Sequence, residues 1–186
     1  MENTSMKQEI LNTSINLFKE YGYEKVTIAK ICKKCNIAKT TFYYYFKSKE
    51  SLIADFYNQT DATLQANLAE ILSAENYVEQ LWKICFPYMQ RFIEVGEVIT
   101  KEIYQINLKN DYLKIAPDDI YLKDTMIMLI ERAQADGQIH NPMPAQCLYK
   151  QLIYLMDGIS FIWATKNCSF DLQKEAREGF DALLLV

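Results

Sequence analysis

Five consecutive aromatics, Phe42 to Phe46, close a stretch from Thr27 to Lys49 that holds six lysines and no acid. No regular element can bury all five. On a helix of about 3.6 residues per turn, Phe46 returns to within roughly 40° of Phe42, whereas Tyr43 and Tyr44 fall about 100° and 200° away. Phe42 and Phe46 can therefore anchor inward while tyrosines are displayed outward beside lysines. Hydroxyl-bearing aromatics on a basic surface suit contact with a phosphate backbone and base edges. This surface is expected to read DNA.

The same stretch parses as helix, turn, helix. Thr27 is an N-cap candidate, and Ile28, Ala29, Ile31 and Cys32 give a short helix its apolar side. Asn36 stands where the chain must turn, and Asn tolerates the left-handed conformation. Ile37 plugs the turn, and a second short helix is expected from about Ala38 to Phe46. Lys47-Ser48-Lys49-Glu50 ends it, with Ser48 placed to cap the next helix. In such a motif the second helix lies in the major groove.

The run Thr27-Ile28-Ala29, Asn36-Ile37, Thr41-Phe42-Tyr43-Tyr44-Tyr45-Phe46, Lys47-Ser48-Lys49-Glu50-Ser51-Leu52 resembles the DNA-binding domain of TetR-type (TetR/AcrR) transcriptional regulators. The preceding Ile10-Leu11, Leu17-Phe18 and Tyr21-Gly22-Tyr23 resemble its first helix. The likeness covers residues up to about 55. Asn36 and Thr40 replace glycines common in that family, and Ala38 replaces a capping serine or threonine, a loss of about 1 kcal/mol of capping. Lys39, Thr40 and Tyr44 are expected to face base edges. Thr27, Thr41, Tyr43, Tyr45 and Lys49 are expected to hold phosphates, with Lys47 a further candidate.

Charge is divided unevenly along the chain. Residues 1–57 carry nine lysines and six acids, a balance of +3, whereas 58–186 carry eleven bases and eighteen acids, a balance of −7, consistent with the net −4. An acidic body with a locally basic head suits a DNA reader with a separate sensing domain. Five cysteines, an odd number, argue against a disulfide framework. Cys32-Lys33-Lys34-Cys35 matches a CxxC pattern, but the single histidine, His140, is far off in sequence, and no βαβ context surrounds the motif. Packing is the expected role of these cysteines, with no metal and no cofactor. One histidine and five glycines offer neither a catalytic triad nor a phosphate-cradling loop, so an enzyme is not expected. A helical interaction module without DNA binding would leave the displayed tyrosines and lysines unexplained.

Beyond Leu52 the pattern predicts helices over about 49–72, 77–95 with a kink at Pro87, 97–108, 119–136 ending at Gly137, 144–166 and 170–184. Residues 110–117 read as a connector and 138–144 as a loop holding His140. The expected fold is all-α: an N-terminal three-helix helix-turn-helix domain, residues 1–50, then a larger helical ligand-binding and dimerisation domain, residues 51–186. The longest apolar stretch, Leu152 to Ala164, is interrupted by Asp157, so no membrane span is expected and the protein is expected in the cytoplasm.

Two further surfaces are expected. The helix over 144–166 confines Gln146, Lys150, Asp157 and Ser160 to one strip, so it needs cover on more than one side. Leu148, Leu152, Leu155, Ile159 and Ile162, with Leu172, Ala176 and Phe180 of the last helix, are expected to form a four-helix homodimer interface, as in similar regulators. A dimer also matches a palindromic double-stranded operator. Trp82, Phe86, Met89 and Tyr104, with Met126, Tyr154 and Phe161, are expected to line an adaptable cavity for a small hydrophobic or amphipathic effector.

Overall fold

The computed structural model describes residues 2–110 and 122–186, and the side chains of 2–5, 57, 58, 61 and 110 lie outside that description. Nine helices and no strand are present among the described residues: α1 (Glu2–Tyr21), α2 (Ile28–Lys34), α3 (Lys39–Tyr45), α4 (Lys49–Ala66), α5 (Leu68–Leu72), α6 (Tyr77–Asn110), α7 (Lys123–Ala135), α8 (Ala145–Thr165) and α9 (Leu172–Leu184). The all-α expectation holds. The expected connector over 111–117 and the start of a helix at Asp119 lie outside the described residues.

The chain divides into two compact units. The first joins Met1–Asn58 to Glu94–Leu113, and the second joins Gln59–Ile93 to Lys114–Val186. The first unit is thus not one continuous piece of sequence, which a single cut after residue 50 does not express. Its core is built from Ile10, Leu11, Phe18, Val26, Ile31, Phe42 and Leu52, each with no measurable exposure. Burial of each such side chain is worth about 1.5–3 kcal/mol. Ser14, buried in the same unit, donates its hydroxyl to Ile10 O at 2.7 Å, so that hydroxyl is not orphaned. Gly22, at φ 83°, stops α1, its N–H donating to Phe18 O at 2.9 Å.

In the second unit α8 packs against both α7 and α9. Gly137, at φ 72°, ends α7 where the sequence places the stop. The side-chain amide oxygen (Oε1) of the following Gln138 accepts from Tyr77 N–H at 3.0 Å and caps the start of α6 from a distant loop. Asp171 caps α9, accepting from Lys174 N–H at 3.0 Å.

Two expected boundaries shift. The helix expected over 49–72 pauses at Asn67 (φ −103°, ψ 8°), which separates α4 from α5. In α6 the helical dihedrals fail at Gly96 (φ 77°, ψ 179°), not at Pro87. Proline forfeits one hydrogen bond and crowds the preceding turn, yet its φ is still helical. Glycine alone reaches the region that Gly96 occupies. Ending one helix at Val95 and starting another at Glu97 therefore describes this backbone correctly.

A methyl group at Gly96 would meet no atom within 4 Å, so substitution there tests backbone strain alone. Gly96→Ala should lower unfolding free energy by about 1–3 kcal/mol in urea titrations. An unchanged midpoint would show that this joint relaxes into the helical region without cost.

Candidate nucleic-acid interface

The reading surface is built from three short pieces. Thr27, with extended backbone (φ −96°, ψ 156°), starts α2, and its hydroxyl oxygen accepts from Lys30 N–H at 3.2 Å. Asn36, at φ 53°, makes the left-handed turn expected of it, while Ile37 N–H donates to Cys32 O at 3.0 Å. Ala38 begins α3 with an extended backbone but no side-chain cap. Phe42 is fully buried and Phe46 is 3 % exposed, with ring centroids 5.8 Å apart. Their spacing turns Tyr43 and Tyr44 outward, at 54 % and 72 % exposure.

Lys39, Thr40 and Lys47 are exposed, and Thr41, Tyr45 and Lys49 are half-buried. Thr27, Lys39, Tyr43, Lys47 and Lys49 line one open depression of about 470 Å³. Thr40, Thr41, Tyr44 and Tyr45 lie on α3 outside that lining, and the Tyr44 and Tyr45 rings meet edge to face at 4.9 Å.

The structure adds four details to this surface. Lys33 and Lys34, exposed at the end of α2, add cations that the lysine run already displayed but that no spacing rule singled out. Glu24 and Glu50 share the depression with the lysines. The Ser48 hydrogen bond holds the Glu50 carboxyl below its ordinary range. Lys49 is already engaged: its ammonium donates to Tyr23 O at 2.9 Å and lies 4.1 Å from the Tyr23 ring centre. Ser48 and Ser51 fix the start of α4 reciprocally, Ser51 N–H donating to Ser48 Oγ at 3.1 Å and Ser48 N–H to Ser51 Oγ at 3.0 Å.

The cysteines at positions 32 and 35 are both buried, and burial raises the Cys35 thiol above its usual value. Among the described residues no group of three or more His, Cys, Asp or Glu could hold a metal. Nor is any helix among them long and apolar enough to cross a membrane.

The other two expected surfaces need correction. Leu148, Leu152, Leu172, Ala176 and Phe180 are at most 2 % exposed within their own chain. They face the packing of α8 with α7 and α9, so no partner can cover them. Leu155 and Ile159 are half-buried, and a Cβ on Gly179 would come within 3.2 Å of either side chain. Ile162 is 51 % exposed. Of the expected cavity residues, Tyr154 and Phe161 are 57 % and 47 % exposed and line no interior. They fall on the outward face of α8 with Ile162, at helical spacing. Trp82 stacks on Phe86 at 5.3 Å and meets the Phe180 ring edge-on at 5.3 Å, so its faces are filled by the protein itself. Met89 and Met126 are buried in the second unit, while Tyr104 is buried in the first.

A short helix held by two buried aromatics, capped by a left-handed turn and studded with exposed Tyr, Thr and Lys, defines a helix-turn-helix nucleic-acid reader. Residues 10–56 match the family described as bacterial regulatory proteins, tetR family. Over 80 residues the chain is 36 % identical to the uncharacterized HTH-type transcriptional regulator YerO of Bacillus subtilis, covering 41 % of this chain and 28 % of that protein. Over 94 residues it is 30 % identical to the biofilm operon icaADBC HTH-type negative transcriptional regulator IcaR of Staphylococcus epidermidis, covering 48 % and 51 %. The matches thus span about half the length of these curated relatives or less. In fold, the chain is similar to Thermus thermophilus FadR, a TetR-family transcriptional repressor in complex with lauroyl-CoA. That likeness has a TM-score of 0.66 at 18 % identity, over 96 % of this chain and 93 % of that one. Residues 10–56 therefore belong to the tetR family of bacterial regulatory proteins.

Contact roles can be separated by salt. Lys47→Ala should weaken binding to all duplexes alike and lower the slope of log affinity against log salt by about one unit. Tyr44→Ala should instead change which sequences are preferred. Both follow from electrophoretic titrations on a bound fragment and on random duplex, and unchanged affinity in both variants would refute the assignment.

Proposed function

We propose that this protein is a homodimeric transcriptional repressor that binds a palindromic DNA operator in the cytoplasm and is released by a small hydrophobic or amphipathic effector. The observation that carries the DNA reading is the outward display of Tyr43 and Tyr44 on α3 beside exposed Lys39, Thr40 and Lys47. Residues 1–50 act as the reading domain in this account, and residues 51–186 dimerise and sense the effector. The negative regulator and the acyl-CoA-bound repressor among the similar proteins support repression and an amphipathic effector. A long-chain acyl thioester is therefore the first effector to test.

The dimer reading rests on α8. Tyr154, Phe161 and Ile162 expose large apolar surface along one side of a helix whose other side is packed. An apolar face of this kind is stabilised by a partner, and a two-fold partner places two reading helices on one duplex about 34–36 Å apart. An effector empties the operator only if it binds the wrongly spaced dimer more tightly, because equal affinity for both states shifts nothing.

Ile162→Asp should leave the fold intact, since Ile162 faces outward, and should yield monomer in sedimentation with operator affinity lowered at least tenfold. A variant still dimeric would place the interface elsewhere. Calorimetric titration of an acyl thioester should show weaker binding when operator DNA is present. Equal affinity with and without DNA would remove the effector mechanism and leave a DNA binder whose body only dimerises.

A further inference from the structure

We propose that each operator half-site presents a guanine to Lys39 and, within about two base pairs of it, a thymine methyl to Thr40. The inference rests on the DNA-binding reading above and adds the base chemistry that the reading helix selects. α3 runs Lys39-Thr40-Thr41-Phe42-Tyr43-Tyr44-Tyr45, and burial sorts these residues. With Phe42 sealed inward, Thr40 and Tyr44 lie about 160° and 200° round the helix from it and face away from the core. Both are exposed, whereas Thr41 and Tyr45, nearer the buried side, are half-buried. Lys39, exposed on one flank, is the first residue of the helix. In a helix-turn-helix the N-terminal residues of the second helix meet the base edges, which puts Lys39 and Thr40 at the front.

What α3 lacks narrows the choice. It has no Asn or Gln, the side chains that pair with adenine through N6 and N7, and no Asp or Glu to accept from the cytosine amino group. The carboxylates that share the depression, Glu24 and Glu50, belong to the segment before α2 and to α4. An ammonium has donors only, so it suits the two acceptors of guanine, O6 and N7. A cation at a helix N-terminus opposes the dipole, so folding alone gives Lys39 no reason to stand there. Thr40 offers a methyl, and apolar contact in the major groove marks thymine by its own C5 methyl. Successive helical residues are offset by about 1.5 Å along the axis, less than a base-pair step of about 3.4 Å. The two targets are therefore close neighbours.

Wild-type protein tests this before any variant is made. On a half-site recovered by selection from random duplexes, 7-deazaguanine in place of guanine removes N7 and keeps the pairing. Uracil in place of thymine removes only the methyl. One guanine should lose about fivefold or more in affinity on the first replacement, and a thymine within two base pairs about threefold on the second. Lys39→Met should bind the unmodified duplex more weakly and no longer distinguish 7-deazaguanine from guanine, while still distinguishing uracil. Thr40→Ser, which keeps the hydroxyl and loses the methyl, should show the converse. Both residues are exposed, so each variant should unfold at the wild-type temperature.

Wild type that ignores both replacements at every position overturns the proposal without recourse to a variant. Lys39→Met that still discriminates 7-deazaguanine, but has weakened on all duplexes alike with a salt slope lower by about one unit, would make Lys39 a phosphate contact and overturn it too. Thr40→Ser that still distinguishes uracil would assign the thymine to another side chain and remove that half of the proposal. If wild type shows no salt-sensitive binding to any duplex, the DNA reading fails first, a result distinct from tight binding that ignores both modified bases.

Discussion

A seven-residue helix without a side-chain cap does not persist alone, since isolated helices shorter than about 12–15 residues are marginal in water. α3 is such a helix, and it carries the proposed reading surface. What holds it is the burial of Phe42 and Phe46, four residues apart, with Phe42 sealed in a core that also contains Ile31, Phe18 and Leu52. Because these two residues fix the rotation of α3 about its axis, they also fix which neighbours face solvent. Tyr43 and Tyr44 are exposed because Phe42 and Phe46 are not. Core and function are two sides of one helical register here, and a slip by one residue would exchange them.

Local signals were legible in the sequence because their causes are local. Gly22 and Gly137 occupy positive φ at helix ends, Asn36 makes its turn, and Thr27 and Ser48 cap the helices that follow them. Each depends on at most four residues of chain. Long-range choices were not legible. Gln138 caps α6 from sixty-one residues away, and Lys49 reaches Tyr23 O across twenty-six. Nothing in residue type marks either partner. On α8, apolar positions were visible, but which apolar side faces its own chain depends on where α7 and α9 lie. Leu148 and Leu152 point inward and Tyr154 and Ile162 outward, although all four read alike as hydrophobic.

Glycine has two separate uses along this chain. At Gly96 it supplies a backbone conformation closed to other residues, with open space around it. At Gly179 it supplies room: a Cβ there would press within 3.2 Å of Leu155 and Ile159, tighter than ordinary van der Waals contact. The second use explains why Leu155 and Ile159 are only half available to a partner. α9 leans on them at a residue without a side chain, and the side chains further round α8 are left to the outside.

Charge on the head is shaped as well as counted. Six lysines between Thr27 and Lys49 would suggest a uniformly positive surface, yet their ammonium groups are not equivalent. Lys30 lies over the Tyr21 ring and Lys49 over that of Tyr23, each drawn onto an aromatic face. Glu24 and Glu50 border the same depression as Lys39 and Lys47, and Glu50 is held ionised by its Ser48 hydrogen bond. A phosphate would be repelled from that acidic rim and drawn toward the exposed lysines at the start and end of α3. The carboxylates thus break up the positive charge around the depression, leaving Lys39 and Lys47 near the two ends of the reading helix. Under the proposed function, that division would orient a duplex across α3, which a featureless patch of the same net charge would not do.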